Sequence, residues 1–300
     1  MGISQYIKEI GRGKQGARPL SRDQAADLLG QVLDGTVTDL EIGAFCLAMR
    51  IKGETAEEMA GFLDATRERS QLLPASDKPL VVLPSYNGAR KLPLLTSLLA
   101  LLVAREGLPV LIHGTATENT RVAIDRVLPP SVLKPPSAAP LIANGTVAFL
   151  PTELLCAPLK RLLDVRRVVG LRNPAHSLVK LMNPCAGPVV VVGSYTHPEY
   201  AVSMAAVYEL MQQTALLLRG TEGEVVADPR RMPQMDGFVR GQRSLLQEGQ
   251  RGTMTDMPDI PASTDPGHTL DYIDAVLAGQ KPVPPSIALQ VEHILHLAST

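Results

Sequence analysis

The chain has 300 residues, 45% hydrophobic and 20% charged, which suits one large domain or two modest ones with ample core and excludes a disordered chain. Lysine plus arginine (29) nearly balances aspartate plus glutamate (30), so the net charge of −1 gives no general attraction to polyanions and any such site must come from local clustering. Tryptophan is absent and aromatics make up 3%, which counts against a base-stacking platform.

In chain order, the first seventy residues read as helices. Ser21 is an N-cap with Gln24 completing a capping box, Ala25, Leu28, Leu29 and Val32 recur at helical spacing, and Gly35 sits where a C-cap glycine belongs. A second helix starts near Thr38 and runs through Ile42, Phe45, Cys46 and Met49. A third follows Thr55, with Glu57 and Glu58 in the first turn, where the helix dipole favours acids. From Leu80 the period changes. Leu80 to Leu83 reads as a strand ending in the loop Pro84-Ser85-Tyr86-Asn87-Gly88, followed by a helix over Leu92 to Arg105 and a strand over Pro109 to Ile112 ending at His113-Gly114. Strand, helix, strand is a right-handed βαβ unit. Further strands are predicted at Thr146 to Leu150, Val189 to Val192 and Leu216 to Leu218, the last two flanking a helix over Pro198 to Gln213. Prolines between Pro129 and Pro140 predict a loop, and Met232 to Gly267, polar with scattered glycine and proline, reads as irregular. A final helix runs from Pro285 to Leu297. The alternation gives an α/β class: a small N-terminal helical domain (1–75, with part of a crossing segment around 155–185) and a larger α/β domain (76–300) with a mostly parallel sheet.

No apolar run reaches the roughly 20 residues of a membrane span. The nearest, Leu92 to Ala104, is interrupted by Pro93, Thr96 and Ser97, and Met1 to Glu9 has no signal-like apolar stretch. Cys46, Cys156 and Cys185 are far apart, with neither disulfide nor metal spacing, which fits a reducing cytoplasm.

Asp39-Leu40-Glu41-Ile42-Gly43-Ala44-Phe45 and Arg50-Ile51-Lys52-Gly53-Glu54-Thr55-Ala56-Glu57-Glu58 closely resemble the N-terminal helical domain of anthranilate phosphoribosyltransferases. Arg166-Arg167-Val168-Val169-Gly170-Leu171-Arg172 through Leu181-Met182-Asn183-Pro184 resembles that family's segment crossing between domains, and the order of features matches over residues 1–230. The resemblance implies the phosphoribosyltransferase and nucleoside phosphorylase type of fold, a cleft between domains, and a homodimer built on the helical domains.

The departures from the family pattern bear on function. The family's glycine-rich GTGGD loop, which cradles a diphosphate, is Pro84-Ser85-Tyr86-Asn87-Gly88-Ala89-Arg90-Lys91 here, with one glycine and no acid. Its KHGN motif survives as Ile112-His113-Gly114-Thr115. The paired Asp-Glu that holds magnesium falls at Glu224-Val225-Val226, so the adjacent carboxylates a hard cation needs are missing; Glu222, Glu224 and Asp228 could substitute only at non-matching spacing. Cations are gained in Gly11-Arg12-Gly13-Lys14-Gln15-Gly16-Ala17-Arg18, a basic glycine-rich loop, at Arg90 and Lys91, and at Arg166, Arg167, Arg172 and Lys180. Loss of catalytic groups with gain of cations resembles the YbiB-like branch, which implies nucleic-acid binding.

The leading expectation is therefore a non-catalytic homologue, without metal or cofactor, that binds single- or double-stranded DNA or RNA with little sequence preference. Its basic groove comprises Arg12, Lys14, Arg18, Arg90, Lys91, Arg166, Arg167, Arg172 and Lys180. Arg166 and Arg167 have a competing role as partners of Asp164 or of the acids of the helical domain. Ser85, Tyr86, Asn87, Gly88, His113 and Gly114 form a degenerate phosphate or ribose loop, with His113 a structural hydrogen bonder. The alternative is an active phosphoribosyltransferase or phosphorylase holding a phosphorylated ribose with Ser85, Asn87, Gly88 and His113; a third is a sensor that keeps the cleft without the chemistry.

Overall fold

A computed structural model of the chain describes residues 2–130, 132, 140–252 and 258–300. Most of the proline-rich loop expected between Pro129 and Pro140, and the side chain of Lys14, lie outside the described residues. The chain forms two compact units, Met1–Leu72 with Thr152–Pro184, and Leu73–Pro151 with Cys185–Thr300.

The first unit is helical: α1 (Ser4–Ile10), α2 (Gly13–Gly16), α3 (Arg22–Asp34), α4 (Asp39–Lys52) and α5 (Ala56–Glu68). Helices α3, α4 and α5 each start at a complete capping box, Ser21/Gln24, Thr38/Glu41 and Thr55/Glu58, so two orphan amides at each N-terminus are satisfied locally. Helix α3 ends on left-handed Gly35 (φ 69°). Gly61 is required where α5 meets α3, because a Cβ there would strike the carbonyl of Arg22. Phe45 and Phe62 pack edge to face, with centroids 5.9 Å apart. Glu58 is fully buried yet well partnered: it accepts from Leu20 N at 2.9 Å, Thr55 N at 2.9 Å and Lys52 Nζ at 2.6 Å. The stretch Gly11 to Arg18, expected as a loop, instead starts at the C-cap of α1, Gly11, and contains the single turn α2, whose carbonyl at Gly13 accepts the Ala17 amide. The crossing segment adds α7 (Thr152–Leu155), α8 (Ala157–Val169) and α9 (Ala175–Leu178) to this unit.

The second unit is a seven-stranded sheet in the order β3-β2-β1-β4-β5-β6-β7. Its strands are β1 (Leu80–Ser85), β2 (Val110–Gly114), β3 (Val147–Pro151), β4 (Val189–Tyr195), β5 (Ala215–Arg219), β6 (Met235–Val239) and β7 (Gln242–Gln247). β1 to β5 are parallel; β6 and β7 form an antiparallel hairpin on the β5 edge. The hairpin corrects the irregular reading of Met232 to Gly267. Its turn places Arg240 (φ 49°) and Gly241 (φ 80°) in the left-handed conformations that a two-residue hairpin demands. Helices α6 (Thr96–Arg105), α11 (Pro266–Leu277) and α12 (Pro285–Ala298) share one core with alternate residues of the strands, among them Leu83, Ile112, Val192 and Leu218. Helix α10 (Pro198–Leu210) packs on β4 and β5, its buried Tyr208 against Phe238. α10 stops before the predicted Gln213, where Gln212 turns to φ 50°.

Because β1, β4 and β5 are parallel neighbours, the chain leaves all three at the same edge of the sheet. Strand order reverses there, between β1 and β4, and α/β proteins place their sites at such points. No helix among the described residues is long and apolar enough to cross a membrane.

Candidate functional site: a buried loop bonded to two glutamates

β1 extends two residues beyond Leu83, carrying Ser85 into register with Gly114. The loop that follows is pinned by a bridge between Ala89 and Val122, with amides donating both ways at 2.9 and 3.0 Å. Gly88 turns the chain at φ 69°, where a Cβ would lie 2.7 Å from the Val122 carbonyl. Ser85, Tyr86, Asn87 and Gly88 are all buried.

Opposite this loop, at the end of β5, runs the segment 220–228. A bridge joins Gly220 to Ala227, and Thr221 N donates to Val226 O at 2.8 Å. Ser194 of β4 donates through Oγ to Gly223 O at 2.7 Å. From α12, fully buried Gln290 donates to Val225 O at 2.7 Å and accepts from Ala227 N at 2.8 Å. The segment is thus fixed on both sides.

It presents two carboxylates to the loop. Glu224 is 1% exposed. Its Oε1 accepts from the amides of Asn87 and Gly88, both at 2.8 Å, and its Oε2 from Ser85 Oγ at 2.5 Å and Thr96 Oγ1 at 3.2 Å. Glu222 accepts the amides of Arg90 at 2.7 Å and Lys91 at 3.0 Å. Asn87 Nδ2 donates to Glu222 O at 3.1 Å. The loop carries no acid of its own from Pro84 to Lys91, and two acids from a distant segment face it. The sequence carries their signal as a Glu-Gly-Glu triplet just after a strand, but nothing local says where the carboxylates point.

His113 at the end of β2 is fully buried, and desolvation pushes its pKa down to about 3. Its Nδ1 lies 2.9 Å from the Tyr86 hydroxyl, the two rings meet edge to face at 5.5 Å, and its Nε2 has no partner among the described residues. A neutral, inaccessible imidazole fits a structural role. Thr117 Oγ1 donates to Tyr86 O at 2.8 Å, and Arg121 pairs with Glu118 at 3.5 Å; both line a recess beside the loop. The cysteines are buried free thiols, and burial pushes Cys46 up to about 12, far from thiolate chemistry.

The magnesium ion that the family resemblance implies does not fit this donor set. Both oxygens of Glu224 are committed to N–H and O–H donors, Val225 and Val226 follow it, and the described residues hold no group of three His, Cys, Asp or Glu placed for a metal.

The predicted cations fall in different surroundings. Arg90 and Lys91 are exposed and form no ion pair among the described residues, while their amides face Glu222. They lie ahead of α6, which begins at Thr96 and not at Leu92, so they are not helix-start residues as the sequence suggested. In the helical unit, Arg18 is exposed and unpaired among the described residues, whereas Arg12 bonds to Glu9 at 2.7 Å and to Lys8 O at 3.0 Å. Arg167 pairs with Asp164 at 3.2 Å, and Lys160 takes the other carboxylate oxygen. Arg166, Arg172 and Lys180 are half-buried.

Comparison with known proteins agrees with this architecture. Residues 4–70 match the helical bundle domain of the glycosyl transferase family. The chain is 40% identical over 299 residues to YbiB, an uncharacterized protein of Escherichia coli K12, covering 97% of this chain and 92% of YbiB. It is 26% identical over 228 residues to anthranilate phosphoribosyltransferase of Persephonella marina, covering 74% of this chain and 66% of that enzyme. The crystal structure of the Thermus thermophilus anthranilate phosphoribosyltransferase superposes with a TM-score of 0.73 at 20% identity, covering 99% of this chain and 89% of that one. With its helical unit, its mostly parallel sheet and a full-length match to YbiB, the chain belongs to the anthranilate phosphoribosyltransferase-like family.

Proposed function

We propose that this family member does not carry out magnesium-dependent phosphoribosyl transfer and instead binds nucleic acid through phosphate contacts with little sequence preference. One observation carries the reading: the loop after β1 splits its donors. The main-chain N–H groups of Asn87, Gly88, Arg90 and Lys91 are taken by Glu224 and Glu222, while the side chains of Arg90 and Lys91 are exposed and free of ion pairs among the described residues. Such cations position a polyanion without reading its bases. Arg18 is a further exposed cation, and the exposed Arg12–Glu9 and Arg167–Asp164 pairs are each worth about 1 kcal/mol or less, so phosphate can replace the acid. Lys14, Arg166, Arg172 and Lys180 complete the set the reading assigns to nucleic acid.

The reading includes a cytoplasmic homodimer formed through the helical units. Apolar side chains on α4 support it: Leu40, Leu47 and Ile51 are 83%, 45% and 55% exposed at spacings that share a helix face, and Val168 near the end of α8 is 90% exposed. Two copies on one particle would raise avidity.

The test is a titration with labelled single- and double-stranded oligonucleotides of unrelated sequence at several salt concentrations. Binding that ignores sequence and weakens steeply with salt supports the reading; no binding at low salt overturns it.

A second reading, transfer or phosphorolysis on a phosphorylated ribose, is supported by the relatives named as phosphoribosyltransferases and by Ser85, Asn87, Gly88 and His113 at the β1 and β2 ends. It requires Glu222 and Glu224 to leave their donors. Pyrophosphate release from phosphoribosyl pyrophosphate, or phosphorolysis of a nucleoside, decides it.

A further inference from the structure

We propose that the loop after β1 is an oxyanion site occupied from within the chain: Glu224, with Glu222 beside it, serves as a built-in anion, and removing a carboxylate turns its donors into a site for inorganic phosphate. The inference deepens the reading that this loop takes no diphosphate, and it stands apart from nucleic-acid binding.

The donor chemistry points to an anion. Glu224 gathers two consecutive amides and two hydroxyls, those of Ser85 (3% exposed) and Thr96 (0% exposed), onto its two oxygens. Beyond Ala89, Glu222 gathers two further loop amides, those of Arg90 and Lys91. Successive main-chain N–H groups converging on one centre are how proteins cradle phosphate. No lysine or arginine forms an ion pair with Glu224 among the described residues, so its charge is balanced by oriented dipoles alone.

The carboxylates are also held in place. Ser194 fixes Gly223 O, Gln290 fixes both Val225 O and Ala227 N, and the Gly220–Ala227 bridge closes the segment. Glu222 itself has φ 53° and ψ 19°, a left-handed conformation that a side-chain-bearing residue adopts only when its surroundings impose it. That turn puts its carboxylate on the amides of Arg90 and Lys91. A residue that merely filled space would need neither the strained backbone nor the clamp from α12.

The consequence is selective. An incoming phosphate meets two fixed carboxylates and finds the loop amides already bonded. With the Glu224 carboxylate gone, two buried amides and two buried hydroxyls face a void of matching polarity, and an anion from solution can satisfy them.

The test uses the full chain. Amide resonances of Asn87, Gly88, Arg90 and Lys91, together with the thermal midpoint, are followed in the wild type and in Glu224→Ala as inorganic phosphate replaces chloride at constant ionic strength. In the wild type these amides do not respond. In Glu224→Ala the Asn87 and Gly88 amides shift saturably and the midpoint rises with phosphate. Glu222→Ala, at a half-buried position, carries the same test on the Arg90 and Lys91 amides if Glu224→Ala does not fold. A phosphate response of the wild-type loop overturns the inference, as does a folded variant whose freed amides ignore phosphate. Failure of oligonucleotide binding would sink the nucleic-acid reading and leave this result unaffected.

Discussion

The carboxylate of Glu224 lies 2.8 Å from the main-chain nitrogen of Asn87, across 137 residues of sequence. Sheet topology makes the meeting possible: β1 and β5 flank β4, all three parallel, so the turns after β1 and β5 share one edge. The bond turns a loop resembling a diphosphate cradle into an internal hydrogen-bond cluster, whose energetics can be measured.

Ser85→Ala removes the 2.5 Å bond to the Glu224 carboxylate, and Thr96→Val removes the 3.2 Å bond. Bonds to a charged acceptor contribute about 1.5–3 kcal/mol, with the shorter and better directed ones at the upper end. Urea unfolding should show both variants destabilised, Ser85→Ala the more. The reverse order would mean the Ser85 contact is not what orders the carboxylate.

Gln290→Leu keeps the side chain's bulk and leaves Val225 O and Ala227 N buried without their partner. Two unsatisfied buried groups cost on the order of 2–5 kcal/mol. A loss below about 1 kcal/mol in denaturant titration would show that the 220–228 segment is held by other contacts.

His113 gives a pH signature with a defined sign. Its folded pKa is near 3 against an ordinary 6.5, so between these values the unfolded chain binds the extra proton. The stability from keeping this imidazole neutral is fully present above pH 6.5 and drains away as pH falls toward 3. At pH 5 the loss is about 2 kcal/mol, taking 1.36 kcal/mol per unit. Stability curves at pH 7 and pH 5 should therefore diverge for the wild type and converge for His113→Gln, which cannot take up a proton. Equal pH dependence in both would place the acid lability in other groups.

Arg90→Glu combined with Lys91→Glu should weaken oligonucleotide binding and flatten its salt dependence by about two, since each duplex phosphate contact contributes roughly 0.9 to the log–log slope. The bonds to Glu222 run through main-chain amides, so stability should change by less than about 0.5 kcal/mol. Anisotropy titrations with a parallel denaturation curve separate the two effects. An unchanged slope would remove this loop from the nucleic-acid surface.

Helices α3 to α5 were legible because each announces its start within four residues: Ser21 to Gln24, Thr38 to Glu41, and Thr55 to Glu58. The start of α6 was misplaced because Pro93 brings no amide and Lys91 N donates to distant Glu222, so regular helix begins only at Thr96. The β6–β7 hairpin was missed because a register shift at Met235/Asp236 and the polar, exposed start of β7 hide the alternation that marks a strand. The loop residues Ser85 to Gly88 were found from the family resemblance. Their partners Glu222 and Glu224 stayed uncommitted, because no spacing rule links a carboxylate to amides beyond the reach of local structure.

The most direct measurement is a calorimetric titration of the wild-type protein with phosphoribosyl pyrophosphate in the presence of magnesium. The amides of Asn87, Gly88, Arg90 and Lys91 are held by Glu224 and Glu222, and the described residues hold no acidic cluster placed for the metal, so no saturable heat is predicted at millimolar ligand. A saturable, magnesium-dependent heat lost in Ser85→Ala would contradict the account. It would show that the two carboxylates yield the loop to a diphosphate.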